Sequence, residues 1–196
     1  MFMRALLVVA AVFGLGAATA ISASAAAAAA ASAAAAAAAA AAPVMVEPIR
    51  YAPSVAAQFV ERYGERERPY LTRELSEEIG AQLGRAGAPI GSGGVRLETE
   101  VLWLQPNLPT RKELSDHPSL SPGSFRRGGV HLRGRYVDAE GRAIATFEFN
   151  NDYLEATRIP NAGPWNDVLQ GFEAYARRAA KVYEQRVAPA GSRPPA

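Results

Sequence analysis

Two sets of side chains in this sequence are of types that could do chemistry. The first is Ser115-Asp116-His117, with Ser119, Ser121 and Ser124 close behind. A serine, a histidine and an acid are the parts of a nucleophile–base–acid relay for acyl transfer. Such a relay needs its members brought together by a rigid scaffold, with oxyanion donors beside them. Here they are chain neighbours in Gln105 to Gly129, a stretch rich in Pro, Ser and Gly, and no G-x-S-x-G elbow accompanies them. The expectation is a polar loop and no catalytic residue. Asp116, His117 and His131 as metal ligands lack H-x-x-x-H or comparable spacing, so no metal and no cofactor is expected.

The second set is basic. His131, Arg133 and Arg135 share one face of a strand pattern, and Arg126 and Arg127 lead into it. A stripe of this kind could grip phosphate or a lipid headgroup. Glu98 and Glu100 on one candidate neighbour and Glu148 on the other could instead pair with it across strands. The cross-strand arrangement is expected to neutralise Arg133 and Arg135. That leaves Arg111, Lys112, Arg126 and Arg127, with His131, as the candidate interaction residues. The partner expected for them is an anionic lipid or another envelope protein. Nucleic acid is not expected, because the face lacks interleaved aromatics on which bases could stack.

A third pattern, Gly91-Ser92-Gly93-Gly94, stands before a strand. A phosphate-cradling loop should follow a strand and open a helix, so this one reads as a turn.

The elements that must position these residues are legible from hydrophobic period. Val95, Leu97, Thr99, Val101 and Trp103 alternate with Arg96, Glu98 and Glu100; Val130, Leu132 and Tyr136 alternate with His131, Arg133 and Arg135. Asp138-Ala139-Glu140-Gly141 reads as a hairpin turn, and Arg142 to Asn150 returns with Ala145, Phe147 and Phe149 on one face. Leu71, Leu75, Ile79 and Leu83 recur every four residues and predict a helix from Pro69 to about Gly84. A second helix follows Asn161-Ala162-Gly163-Pro164, with Trp165, Val168, Leu169, Phe172, Ala176, Ala179 and Tyr183 on one stripe. Pro43 to Tyr63 is ambiguous. Val55, Ala57 and Phe59 alternate, while Val55, Phe59, Val60 and Tyr63 also fit a helical face; a short strand near Val55 to Val60 is expected. The fold class is therefore α+β: a two-layer sandwich with an antiparallel meander of three to four strands packed against two helices. Trp103, Trp165, Phe147, Phe149, Phe172 and Tyr136 are its expected core aromatics.

The chain around this domain is biased. Of 196 residues, 42 are alanine, and 24 of these fall in the first 42 positions. Met1 to Arg4 carries one positive charge, Ala5 to Leu15 is an apolar run, and Ala18-Thr19-Ala20 and Ala23-Ser24-Ala25 place small residues at cleavage spacing. Ala5 to Ile21 is 17 residues, short of the ~20 strongly apolar residues that a span prefers. Residues 1–25 are therefore expected to be a signal peptide, 26–50 an alanine-rich spacer, 51–187 the α+β domain and 188–196 a tail. The formal net charge of +2 is no polyanion-binding signature. The absence of cysteine excludes disulfides, thiolate metal sites, a cysteine nucleophile and a lipid-modified cysteine.

Tyr63-Gly64-Glu65-Arg66, Pro69-Tyr70-Leu71, Val95-x-Leu97-x-Thr99, Gly128-Gly129-Val130, the Asp138 to Arg142 hairpin and Trp165-x-Asp167 together resemble small uncharacterised envelope proteins of Gram-negative bacteria. Several of those are lipoproteins or auxiliary components of envelope transport systems, and the chain departs from the lipoproteins in having no lipobox cysteine. The resemblance implies an envelope role without catalysis and assigns no residues. The expected function is a non-enzymatic binding or interaction module, periplasmic or secreted, with a small periplasmic hydrolase using residues 105–129 as the alternative. An uncleaved leader would add a transient membrane contact. N-terminal sequencing of the exported protein should begin between Ile21 and Ala26. An intact Met1 in the membrane fraction would show an anchor instead.

Overall fold

Three antiparallel strands with a common apolar face organise the molecule. In a computed structural model, which describes residues 43–151 and 163–188, β3 (Val95–Gln105), β4 (Gly129–Val137) and β5 (Ala143–Asn150) form the expected meander. Two short strands, β1 (Val44–Val46) and β2 (Arg50–Tyr51), both run parallel to β3 along its free edge. The sheet is therefore mixed. Pro48 lies between the two short strands, where a residue without a backbone N–H interrupts a ladder. Val44 and Ile49 are buried, so the folded unit starts by Pro43, earlier than the expected boundary at Tyr51. The leader, the alanine tract through Ala42, Asn161-Ala162 and the tail from Pro189 lie outside the described residues.

The expected strand near Val55 to Val60 is a helix. Pro53 opens α1 (Pro53–Gln58) at its first turn, where a missing N–H costs nothing, and a π turn (Phe59–Tyr63) continues it. Val55, Phe59 and Tyr63, four residues apart, turn inward together, and Val60 stays 59% exposed. Gly64, at φ 102°, ends the run in a conformation that side-chain-bearing residues rarely adopt.

Helix α2 (Glu67–Arg85) buries Leu71, Leu75, Ile79 and Leu83 completely. The short helix α3 (Arg111–Asp116) sits within the long β3–β4 connection. Helix α4 (Asn166–Val182), extended by a π turn (Tyr183–Val187), buries Val168, Phe172, Tyr175, Ala176 and Ala179. Tyrosine hydroxyls bind this helical layer to the sheet. Tyr175 shares a 2.9 Å hydrogen bond with Thr99, Tyr136 donates to the Ala179 carbonyl at 3.0 Å, and Tyr63 donates to the Leu104 carbonyl at 3.2 Å. Burial raises the Tyr136 and Tyr175 hydroxyls well above the ordinary tyrosine value, so both stay neutral. Among the described residues, no helix is long and apolar enough to cross a membrane.

The pairing register shifts between Val101 and Trp103. Beyond that shift the inward position passes to Leu104, which is fully buried, while Trp103 is only half-buried. The expectation that Trp103 belongs to the inner row is thereby corrected; an irregularity of one residue changes the face of everything after it. The opposite sheet face carries the expected cross-strand pairs: Arg133 with Glu148 at 3.0 Å and Glu100 at 3.7 Å, and Arg135 with Glu98 at 3.8 Å.

Gly134 on β4 faces Phe147 on β5, and the ring lies directly over its Cα. A Cβ added at this position would fall 2.6 Å from Phe147 Cε1, and closer still to Cζ. Because the ring is packed between Tyr136 and Tyr175, at centroid separations of 6.1 and 5.5 Å, it has little room to retreat. Gly134→Ala should therefore destabilise the fold by about 1–3 kcal/mol, as overpacking does, measured by urea unfolding. A midpoint within error of the native protein would show that the ring can move aside.

Candidate functional site

The long connection from β3 to β4 is folded down onto the domain around one buried carboxylate. Thr110 caps α3: its hydroxyl accepts from the Glu113 amide at 3.3 Å, and its own amide donates to Glu113 Oε2 at 2.9 Å. This reciprocal box satisfies two helix-end donors. The same carboxylate takes Arg62 Nε on Oε1 at 2.7 Å and an Arg126 guanidinium nitrogen on Oε2 at 2.5 Å. Glu113 is 2% exposed. Burial alone would push its carboxyl up, but donation from Arg126, the Thr110 amide and Arg62 outweighs it and holds the group at about 2.

The rest of the connection is tied by backbone. Arg126 also donates from Nε to the Pro106 carbonyl at 2.9 Å and from its amide to the Asn107 carbonyl at 2.9 Å. Asn107 donates to the Pro164 carbonyl, and the Gly128 amide donates to Asp167 Oδ2 at 3.3 Å. A Cβ on Gly128 would meet both Asp167 and Asn107 within 3 Å, so this approach requires glycine. Residues 106–110 and 126–130 are thus fastened to the start of α4.

A cleft of about 1300 Å³ opens beside this fastening. One wall is the turn after α1, with Val60, Tyr63 and Gly64, and another is the start of α2 as far as Tyr70. The connection contributes Leu108, Pro109, Leu114 and Pro122, and the start of α4 contributes Trp165 and Leu169. The back wall is rigid. Trp165 Nε1 donates to Glu67 Oε2 at 2.7 Å, and the Tyr63 and Trp165 rings meet edge to face at 5.3 Å. Arg66, Arg111, Lys112 and Glu65 supply charge to the lining.

The five candidate interaction residues do not form one patch. Arg111 and Lys112 line the cleft, and Lys112 Nζ is 2.7 Å from Asp116 Oδ2. Arg126, expected to be among the freest cations, is instead half-buried and committed to Glu113 and two carbonyls. Arg127 is exposed on the way to β4 and engaged in an interaction of its own. His131 lies on the outer sheet face, 3.3 Å from Glu148. Ser115, Asp116 and His117 are exposed at the end of α3; the Asp116 carboxylate is taken by Lys112, and none of the three lines the cleft. Among the described residues, no three His, Asp or Glu side chains converge as metal ligands would.

The sequence reading missed Val60, Arg66, Tyr70, Leu108 and Leu114 as lining residues. One local signal was present: Thr110-x-x-Glu113 has capping-box spacing, and it precedes Leu114 in an otherwise polar stretch. The fold and cleft define an α+β protein with an amphipathic recess at one end of its helical layer. No family model matches the chain, and no curated protein matches it. Among solved structures it is similar to protein XCC0632 from Xanthomonas campestris, of family DUF330, with 10% identity and a TM-score of 0.42. That likeness covers 71% of this chain and 81% of the other.

Because the folded Glu113 carboxyl titrates near 2 against an ordinary value of 4.5, its contribution is complete above 4.5 and is lost as pH falls towards 2. Glu113→Gln should cost about 2–4 kcal/mol at neutral pH, since it strips two guanidiniums of their shared partner. The gap between native and variant urea midpoints should then narrow from pH 4.5 to pH 2. A constant gap would place the cost elsewhere than in the charged pair.

Proposed function

We propose that this chain is an exported, non-enzymatic binding module of the cell envelope, and that the cleft beside Glu113 is where it holds its partner. The observation that carries this reading is a large recess with apolar walls in which Val60 remains 59% exposed. A contiguous apolar recess left open to water is what ligand and partner sites have in common. The leader pattern at Met1 to Ala25 supports export. That both Arg111 and Lys112 line the recess supports a place for them at an interaction surface. An anionic lipid or an acidic segment of another envelope protein fits that combination of apolar wall and cationic lining.

The hydrolase alternative requires Asp116, His117 and a serine to meet beside a concave surface. Asp116 is spent on Lys112, and His117 stands outside the cleft. The binding reading is therefore favoured over catalysis in this connection, with no cofactor invoked.

Native mass spectrometry of the protein purified from envelope extract tests the reading. The native chain should carry a retained ligand, and Val60→Glu, which places a carboxylate in the recess, should lose it. Because Val60 is exposed, that substitution should change stability by less than ~0.5 kcal/mol. Equal loading of native and variant chains would show that the cleft is not the seat. Turnover of an ester substrate that disappears in His117→Ala would favour the hydrolase.

A further inference from the structure

We infer that the cleft takes an amphiphile with one long apolar chain and a singly charged anionic head, a long-chain carboxylate. This rests on the reading of the cleft as a binding seat and specifies its ligand. The size is the first argument. At about 1300 Å³ the recess exceeds the ~300–1,000 Å³ usual for compact small-molecule sites. Its apolar wall runs from Val60 through Leu108 and Leu114 to Leu169, and so is drawn from the α1 turn, the β3–β4 connection and α4. A wall of that extent suits a chain better than a single ring.

Charge is the second argument. Most cations around the recess are already spent: Arg62 and Arg126 on Glu113, and Lys112 on Asp116. Arg66 and Arg111 differ. Both are exposed, both line the cleft, and among the described residues neither forms a hydrogen bond or ion pair. A planar guanidinium presents paired donors that match a carboxylate. Over the whole lining, Arg66, Arg111 and Lys112 stand against Glu65 and Glu67, a balance of one positive charge. Glu67 keeps its charge in that balance, with Oε2 accepting from the Trp165 indole. One net cation beside an apolar channel selects a monoanionic head over a polyanion.

These contributions differ in size, and the difference makes the inference measurable. An exposed guanidinium–carboxylate pair is worth only a few-fold in affinity. Each methylene removed from water is worth about four-fold. Chain length should therefore dominate affinity, and the head should add a modest, charge-specific increment.

Titration calorimetry with dodecanoate, decanoate and dodecan-1-ol below their aggregation concentrations tests this. Dodecanoate should bind saturably, about sixteen-fold more tightly than decanoate, and about two- to five-fold more tightly than dodecan-1-ol. In the Arg66→Ala, Arg111→Ala double variant, dodecanoate should weaken to match the alcohol, whose own affinity should not change. Parallel weakening of both probes would overturn the head assignment. No saturable dodecanoate binding, while the native chain still carries a Val60→Glu-sensitive envelope ligand, would overturn the inference and leave the binding reading standing. Loss of both results would overturn both.

Discussion

One buried carboxylate sets the shape of everything at the cleft end of the molecule. An ionised Glu113 cannot be withdrawn from water without compensation, and its two oxygens collect three donors from three places in the chain: α1's π turn, the Thr110 cap and the strand lead-in at Arg126. Arg62 is separated from Glu113 by 51 positions and Arg126 by 13, so satisfying this single group closes two loops at once. The position of α3 follows from that, and with it the position of Leu108, Pro109 and Leu114. A connection of this length would otherwise have to be held by scattered weak contacts. Here it is held by a small number of charge-assisted bonds with low freedom to rearrange.

The helical layer and the sheet are joined by a different device. Tyr136, Tyr175 and Tyr63 each place a ring in the core and spend a hydroxyl on a partner across the interface. Tyrosine supplies apolar area and one directional bond together, so it fixes lateral position where leucine would only fix depth. Gly134 serves the same interface from the sheet side by letting Phe147 lie flat against β4. Gly171 does so from the helix side: a Cβ there would fall within 2.7 Å of Val130 and Asn151, so α4 approaches the end of β4 closely only because that side chain is missing. Asn151 completes the junction by accepting from the Val130 amide and donating to the Asp167 carbonyl. The start of α4, which carries Trp165 and Leu169 into the cleft, is thereby registered against the sheet.

The parts of this architecture that repeat were legible in the sequence. Leu71 to Leu83 at four-residue spacing, and the alternation through Val95 to Val101 and Val130 to Tyr136, each state their element several times over. The parts that do not repeat were not. Strands β1 and β2 are three and two residues long, lie in a segment punctuated by Pro43, Pro48 and Pro53, and have no period to read. Val55, Ala57 and Phe59 satisfied two templates, and only tertiary burial of Tyr63 on the same face decides for the helix. Trp103 was misplaced because the register shift before it has no signature in residue type. The cross-strand ion pairs were legible, since they follow from alternation on both strands. The Glu113 cluster was half legible: the Thr110 capping box is local, but its arginines are not. The cleft was not legible, because its walls come from four separated segments.

The same distinction separates the cations that build the molecule from those left to act. Counting arginines along the chain made Arg126 and Arg127 look like the most available pair, since they stand at the exit of a polar loop. Burial reverses this for Arg126. A guanidinium that is half-buried beside a fully buried carboxylate is worth more to the fold than any transient partner could be, because an unpaired Glu113 would carry its full desolvation cost. Arg133 and Arg135 are similarly occupied on the sheet face, where Glu98, Glu100 and Glu148 lie opposite. What distinguishes Arg66 and Arg111 is not an absence of charge around them, since Glu65 and Glu67 share the lining, but that among the described residues neither guanidinium is paired. These two cations line the same recess in which Val60 stays 59% exposed, so uncommitted charge and exposed apolar surface meet in one place.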